Sequence, residues 1–240
     1  MKYYITGANG FIGKHVCEYL KGHEVIMMKH NHWPFEFDAG STVIHLAAYG
    51  NHYHQKESSL IIQSNITTLW NLLEAFVRSK AIKFYNISTS SVTLPVQTLY
   101  SASKLFGEAL ANSYEDDRIV NVRPYSVYGP GEAAHRFIPT IIRCLKTGEQ
   151  MSIDCDAVHD WIYVDDFVQA MFNGHTDIGS GMQVTNLGIV NALELISGKK
   201  LSYVQIKLRN YDCDKWVCHI GVPGRKLFDG LKQTYEQYFV

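Results

Sequence analysis

The 240-residue chain is 46% hydrophobic and 19% charged, enough apolar material for a real core and unlike the composition of a disordered segment. A net charge of −1 leaves no basic footprint for nucleic acid or for an anionic membrane surface. The five cysteines are odd in number and form no C-x-x-C pair, which argues against a disulfide framework and fits a reducing cytoplasm.

The chain opens on an apolar run, Tyr3-Tyr4-Ile5-Thr6, that breaks into Gly7, Gly10 and Gly13. This pattern predicts a strand, a tight turn and a helix start, with Ile12, Val16, Cys17 and Leu20 along one helical face. In such a turn one glycine permits the reversal, one lets backbone N–H groups approach a pyrophosphate, and one lets the helix pack against the strand. The helix then presents its unsatisfied N–H groups and positive dipole end to the phosphates, so the pattern predicts a dinucleotide site. With the first strand beginning so close to Met1 no signal peptide is expected, and no apolar run reaches the roughly 18 residues of a spanning helix.

Gly22 marks a stop, and His23 to Met28 reads as the second strand. Where a dinucleotide fold usually places an acid for the adenosine ribose, this chain has Lys29-His30-Asn31-His32, which suits a 2′-phosphate and favours NADP over NAD. Phe35 to Asp38 is expected as a short strand and Ser41 to Ala48 as the next. Too few residues separate them for a parallel crossover, so either a helix is missing there or Phe35–Asp38 lies outside the sheet. His45, His52 and His54 have no Cys, Asp or Glu at a ligand spacing, and no metal is expected.

Ile62 to Ser79 is expected as one long helix, with Ile66, Leu69, Leu72, Leu73, Phe76 and Val77 on one face. Trp70 falls off that stripe and implies a second buried side. Lys83 to Ser88 reads as a strand tipped by the hydroxyls of Thr89, Ser90 and Ser91, at the end where such sheets gather ligands. Tyr100 and Lys104, four apart, project from one helix face, and Phe137 to Leu145 reads as a further helix. Free tyrosine titrates near 10, too high for a base at neutral pH, and a neighbouring lysine cation would favour the phenolate.

Taken together, Thr6-Gly7-x-x-Gly10-Phe11-Ile12-Gly13, Ile44-His45-Leu46-Ala47-Ala48, Tyr100-x-x-x-Lys104 and Arg123-Pro124-x-x-x-Tyr128-Gly129-Pro130-Gly131 resemble the extended short-chain dehydrogenases. The resemblance is to their nucleotide-sugar epimerase, dehydratase and reductase branch. It continues through Asp160 to Asp166, Asn186-Leu187-Gly188 and Gly230 to Thr234, and so covers nearly the whole chain. Members of that branch usually run longer, and with the terminal motif present this chain is expected to be a compacted member. It lacks the crossover before Thr42 and most of the loop from Val92 to Leu99.

The resemblance implies an α/β, Rossmann-type doubly wound parallel sheet over residues 1–128, with 160–178 returning to it. Residues 129–159 and 179–240 would form a small substrate-binding lobe. It implies cofactor contacts at Gly7, Asn9, Gly10, Phe11, Ile12, Gly13, Lys29, His30, Leu46, Ala47, Ala48, Asn65, Tyr100 and Lys104. Catalysis would fall to Thr89 (or to Ser90, should the register slip by one), Tyr100 and Lys104, and substrate binding to Ser90, Ser126, Arg136 and His159. His159 stands where the branch carries an arginine for the diphosphate; Arg136 and Arg143 are near enough in sequence to substitute. Dehydratases of the branch carry an acidic pair where this chain has Ser90 and Ser91, which disfavours elimination. No cysteine lies between Cys17 and Cys144 to serve as the extra acid or base of epimerisation beside a ketone.

What remains is hydride transfer on a nucleotide sugar, by a 4-epimerase or a 4-ketoreductase. The alternative is a non-catalytic NAD(P)-binding protein that senses redox state or acts as a scaffold. The resemblance further implies a homodimer through the helices 62–79 and 100–114, with Trp70 buried between copies. Cys213, Cys218 and His219 make a poor zinc spacing, and Cys218 reads as packing.

Overall fold

Strand β1 (Lys2–Thr6) runs into the glycine turn and helix α1 (Phe11–Tyr19), and β2 (Glu24–Met28) returns alongside β1 in parallel. The computed structural model describes residues 1–29, 35–207 and 216–238, and the chain divides into two units, Met1–Pro124 and Tyr125–Val240.

In the first unit β3 (Thr42–His45) pairs with the other side of β1, and β4 (Lys83–Ile87) and β5 (Ile119–Pro124) follow, in the spatial order β2-β1-β3-β4-β5. All these pairings are parallel, with Ile5 opposite Ile44 and Ile44 opposite Tyr85. Every residue of β3 is buried, as a strand covered on both faces requires. Between β3 and β4 lie α2 (Ser58–Ile62), a π-helical turn at Gln63–Thr67 and α3 (Thr68–Arg78). Between β4 and β5 lies α4 (Leu99–Asn112), whose start is fixed by reciprocal capping between Thr98 and Ser101. The apolar stripe of α3 packs Leu69, Leu72, Leu73 and Phe76 against Val43 and Phe84 in one core cluster.

Three expectations change. Phe35–Asp38 is not a strand and takes no place in the order β2-β1-β3-β4-β5. The stretch is held by side chains instead: Phe37 is buried edge-on to Tyr4 at 5.2 Å, and Asp38 accepts hydrogen bonds from Lys2 Nζ at 2.7 Å and Tyr4 Oη at 2.9 Å. The long helix over 62–79 begins earlier, at Ser58, and is broken by the π turn. Among the described residues Trp70 finds no second buried side, and it is 49% exposed.

The second unit is built on β8 (Val158–Tyr163). It follows β6 (Ser126–Tyr128), helix α5 (Phe137–Thr147) and β7 (Met151–Ile153), and precedes α6 (Val164–Phe172), β9 (Asp177–Ile178) and β10 (Gln183–Thr185). β10 pairs antiparallel with β8 on one side and β6 parallel on the other. Helix α7 (Asn186–Ser197), β11 (Tyr203–Gln205) and α8 (Leu227–Gln237) complete the unit. Asp160 is its buried anchor, accepting from Ser180 N–H at 2.6 Å, Ser180 Oγ at 2.7 Å, Gly181 N–H at 2.9 Å and Cys218 N–H at 2.9 Å. Cys218 is buried beside it, as packing would have it, while Cys213 lies outside the described residues.

Candidate active site

The glycine turn has the geometry of a phosphate cradle. Gly7 has φ +69, and a Cβ there would meet Ala47 N at 2.7 Å, so only glycine lets the β1 turn lie against the end of β3. A Cβ on Gly13 would meet Ala8 Cα at 2.8 Å, which explains the close approach of α1 to the turn. Gly10 caps α1 in extended conformation with no side-chain hydrogen bond and no acid in the first turn, leaving the N-terminal amides to an anion. Asn9 is exposed and Phe11 and Ile12 are half-buried at the same helix start. These residues fit a dinucleotide pyrophosphate.

The facing rim is the segment after β3. Leu46 and Ala47 are half-buried and Ala48 exposed. Thr6 Oγ1 accepts from Ala47 N–H at 3.1 Å and shares a hydrogen bond with the buried His45 Nδ1 at 2.8 Å, so one hydroxyl ties the two strand ends together. Nothing in the strand pattern distinguishes this clamp. Lys29 is exposed directly after β2, and His30 lies outside the described residues.

Asn65 sits on the π turn and is 1% exposed. Its amide accepts from Tyr49 N–H at 2.9 Å and donates to Tyr49 O at 2.8 Å and to Ser103 Oγ at 2.9 Å. The side chain therefore ties the segment after β3 to α4, on the turn between Tyr100 and Lys104. Gly50, in that same segment, faces Tyr100: a Cβ on it would stand 3.5 Å from Tyr100 Cβ.

Tyr100 is half-buried and Lys104 is 3% exposed, one helical turn apart on α4. Burial pushes the Lys104 ammonium down to about 8, while the charge of Glu108, one further turn along, pulls the other way. Glu108 itself is gripped by Arg123, through Nε at 2.9 Å and Nη2 at 2.6 Å, so Lys104 is not its main partner.

Thr89 follows β4 and caps a short 3₁₀ turn, Ser90–Thr93. Its Oγ1 accepts from Ser91 N–H at 3.2 Å and lies 2.9 Å from Ser91 Oγ. Ser90 is buried in that turn. The short connection to α4 is closed by Gln97, whose Nε2 donates to Leu94 O at 2.6 Å and Val92 O at 3.3 Å.

In the second unit, Ser126 Oγ and His159 Nδ1 share a hydrogen bond at 3.3 Å on adjacent strands. His159 is buried beside the Trp161 and Trp216 rings, with centroids at 5.3 and 5.1 Å. Arg136 precedes α5, its Nε 3.5 Å from the buried Glu132, a carboxyl pushed up to about 7 by burial against the pull of Arg136. Arg143 is exposed on α5 and pairs with Glu149. Among the described residues no group of three metal-ligating side chains comes together, and no helix is long and apolar enough to cross a membrane.

A model of the NAD dependent epimerase/dehydratase family matches residues 3–188. The CDP-abequose synthase of Salmonella typhimurium is 29% identical over 69% of this chain and 67% of that protein. An uncharacterized UDP-glucose epimerase of Bacillus subtilis, YtcB, is 27% identical over 83% of each. The solved structure of MoeE5 in complex with UDP-glucose and NAD superposes with a TM-score of 0.86 at 22% identity, covering 100% of this chain and 99% of that one, a likeness of fold.

Proposed function

This chain belongs to the NAD dependent epimerase/dehydratase family, and from that membership we propose that it moves a hydride at a sugar carbon, as a nucleotide-sugar 4-epimerase or 4-ketoreductase. The observation that carries the reading is the buried Lys104 one turn from Tyr100. A structural lysine has no reason to bear the cost of full burial, whereas a catalytic pair needs a cation where a phenol must ionise.

Bound NAD(P) would accept the hydride and, in an epimerase, return it to the other face of the sugar. The amides at the start of α1 and the Gly7–Gly13 turn would hold its pyrophosphate, with Leu46, Ala47 and Ala48 along the opposite rim. Lys104 would hydrogen-bond the nicotinamide ribose and favour the Tyr100 phenolate. Tyr100 Oη then takes the proton of the reacting sugar hydroxyl, and Thr89 Oγ1 steadies the same oxygen. Positioning of the base over the hydroxyl depends on the Asn65 bridge from the β3 rim to α4.

The second unit, with Ser126, Arg136 and His159, is the proposed substrate lobe, and Ser90 the substrate contact of the first. His159 in place of an arginine leaves Arg136 as the cation for a diphosphate. Exposed Lys29 after β2 supports NADP over NAD. The exposed faces of α3 and α4, with Trp70 at 49% and Phe106 at 53%, support a dimer through these helices.

The test is a cofactor-reduction screen with UDP-, GDP-, CDP- and dTDP-sugars, repeated with Tyr100→Phe. Turnover is expected to drop by about 10²–10⁴-fold in the variant while cofactor affinity stays within a few-fold. Parental turnover in Tyr100→Phe would remove the catalytic assignment.

A further inference from the structure

The Thr89 hydroxyl is engaged within its own turn before any substrate arrives. Its Oγ1 accepts from Ser91 N–H at 3.2 Å and stands 2.9 Å from Ser91 Oγ, on the 3₁₀ turn that Thr89 caps. A hydroxyl has one proton to give and two lone pairs to receive with. The Ser91 N–H takes one lone pair. The contact with Ser91 Oγ then has two possible directions, and they have opposite chemical consequences. If Thr89 donates to Ser91, it has no proton left for a substrate and one lone pair open. If Ser91 donates to Thr89, both lone pairs are filled, and the only function left to Thr89 is to donate outward.

A sugar ketone, the state on one side of hydride transfer, has no proton and can only accept. Against it, Thr89 must donate, and Ser91 must therefore donate into Thr89. We infer that Ser91 is a positioning residue that fixes the direction of the Thr89 proton, so that the reacting sugar oxygen always meets a donor and can release its own proton only to Tyr100. This rests on the reading of Thr89 and Tyr100 given above. The relay moves no net proton: Ser91 Oγ–H to Thr89 Oγ1, and Thr89 Oγ1–H to the sugar oxygen, stay as hydrogen bonds throughout. Each bond polarises the next, which strengthens the outward donor. Without the Ser91 hydroxyl, Thr89 is free to accept from the sugar hydroxyl, and the proton is drawn away from the phenolate.

The consequence separates binding from turnover. In Ser91→Ala the sugar hydroxyl still finds a hydrogen bond at Thr89, only reversed, so ground-state affinity should hold while the rate falls. The experiment measures UDP-glucose binding by calorimetry to protein loaded with NADH, where no hydride can leave the sugar, and turnover with NAD. Ser91→Ala is expected to bind within about 2-fold of the parent and to turn over about 10-fold more slowly, the scale of one hydrogen bond made in the wrong sense. Ser91→Thr keeps the hydroxyl and should recover most of the rate. In the Thr89→Val background, adding Ser91→Ala should cost nothing further, because Ser91 acts only through Thr89.

Parental turnover in Ser91→Ala overturns the inference, as does an additive loss in the double variant, which would place Ser91 on the substrate itself. Equal loss of binding and rate, or no recovery in Ser91→Thr, marks a structural role and also overturns it. Those outcomes leave Tyr100→Phe inactive and the hydride-transfer reading standing; a fully active Tyr100→Phe sinks the reading and this inference together.

Discussion

Replacing Lys104 with methionine should stabilise the cofactor-free protein while destroying its activity. Lys104 is 3% exposed, and burial takes its ammonium from 10.5 down to about 8. That drop corresponds to about 3 kcal/mol held against the charged form. Below pH 8 the folded and unfolded chains both carry the proton, and the folded state bears the whole cost. Between pH 8 and 10.5 the unfolded chain keeps a proton that the folded chain has lost, so stability rises with pH; above that range the cost is gone. Met keeps the length and apolar character of the stem. Glu108 is not orphaned by the change, because Arg123 holds it through Nε at 2.9 Å and Nη2 at 2.6 Å. For a chain of this size, about 3 kcal/mol recovered at pH 7 raises the melting temperature by about 6–12 °C. Thermal melts of parent and Lys104→Met, free of cofactor, at pH 7 and pH 10.5 measure it. The gap should be largest at pH 7 and close toward pH 10.5. A variant that melts at or below the parent at pH 7, or a gap indifferent to pH, would show that burial of this charge is not what the fold is bearing.

Two further outcomes follow from the surfaces. Fluorescence titration should give tighter binding of NADPH than NADH by at least several-fold, and Lys29→Asp should reverse the preference, since a charged hydrogen bond to a phosphate is exchanged for repulsion; equal affinities in the parent would refute it. Light scattering at micromolar concentration should give a dimer, and Trp70→Asp a monomer, because Trp70 is half exposed in the single chain; a monomeric parent would leave that indole without the burial assigned to it.

The elements of the proposed cofactor site were legible as structure because their causes are local. Glycine spacing encodes the turn through φ at Gly7 and through contacts too close for a Cβ, and those constraints are written in the residues themselves. The hydroxyl tip at Thr89 and the Tyr100–Lys104 spacing are equally local, given a strand and a helix. Phe35–Asp38 failed because its alternation is satisfied by burying Phe37 and pinning Asp38, with no ladder involved. The π turn at Gln63–Thr67 left no trace in the apolar stripe, since Leu69, Leu72, Leu73 and Phe76 all lie downstream of it in α3 and keep their own helical spacing. Asn65 shows the limit most clearly. Its residue type fits a cofactor contact, yet its amide is used on Tyr49 and Ser103, partners that only the tertiary fold supplies.

Proteins similar to this chain include dehydratases as well as an epimerase and reductases, and on the reading proposed above the turn after β4 decides between the two chemistries. Elimination needs a base to take a carbon-bound proton and an acid to protonate the departing hydroxyl, two groups beyond the Tyr100 oxygen. The residues that follow Thr89 are hydroxyls, Ser90 and Ser91, whose free pKa values are far too high for either task. Ser90 is buried in the 3₁₀ turn with its carbonyl accepting from Thr93 Oγ1 at 2.8 Å, and Ser91 Oγ is engaged with Thr89. On the reading proposed above, the proton that moves is the one on the sugar oxygen facing Tyr100, in step with the hydride. A carboxylate at position 91 would disturb that arrangement twice, by adding a base and by removing the donor that fills the Thr89 lone pair. Ser91→Glu should accordingly lose hydride-transfer turnover by at least the factor expected of Ser91→Ala, about 10-fold, without gaining dehydration. Appearance of a dehydrated sugar in that variant, followed by mass spectrometry, would show that the reaction type was set by one side chain and not by the turn as a whole.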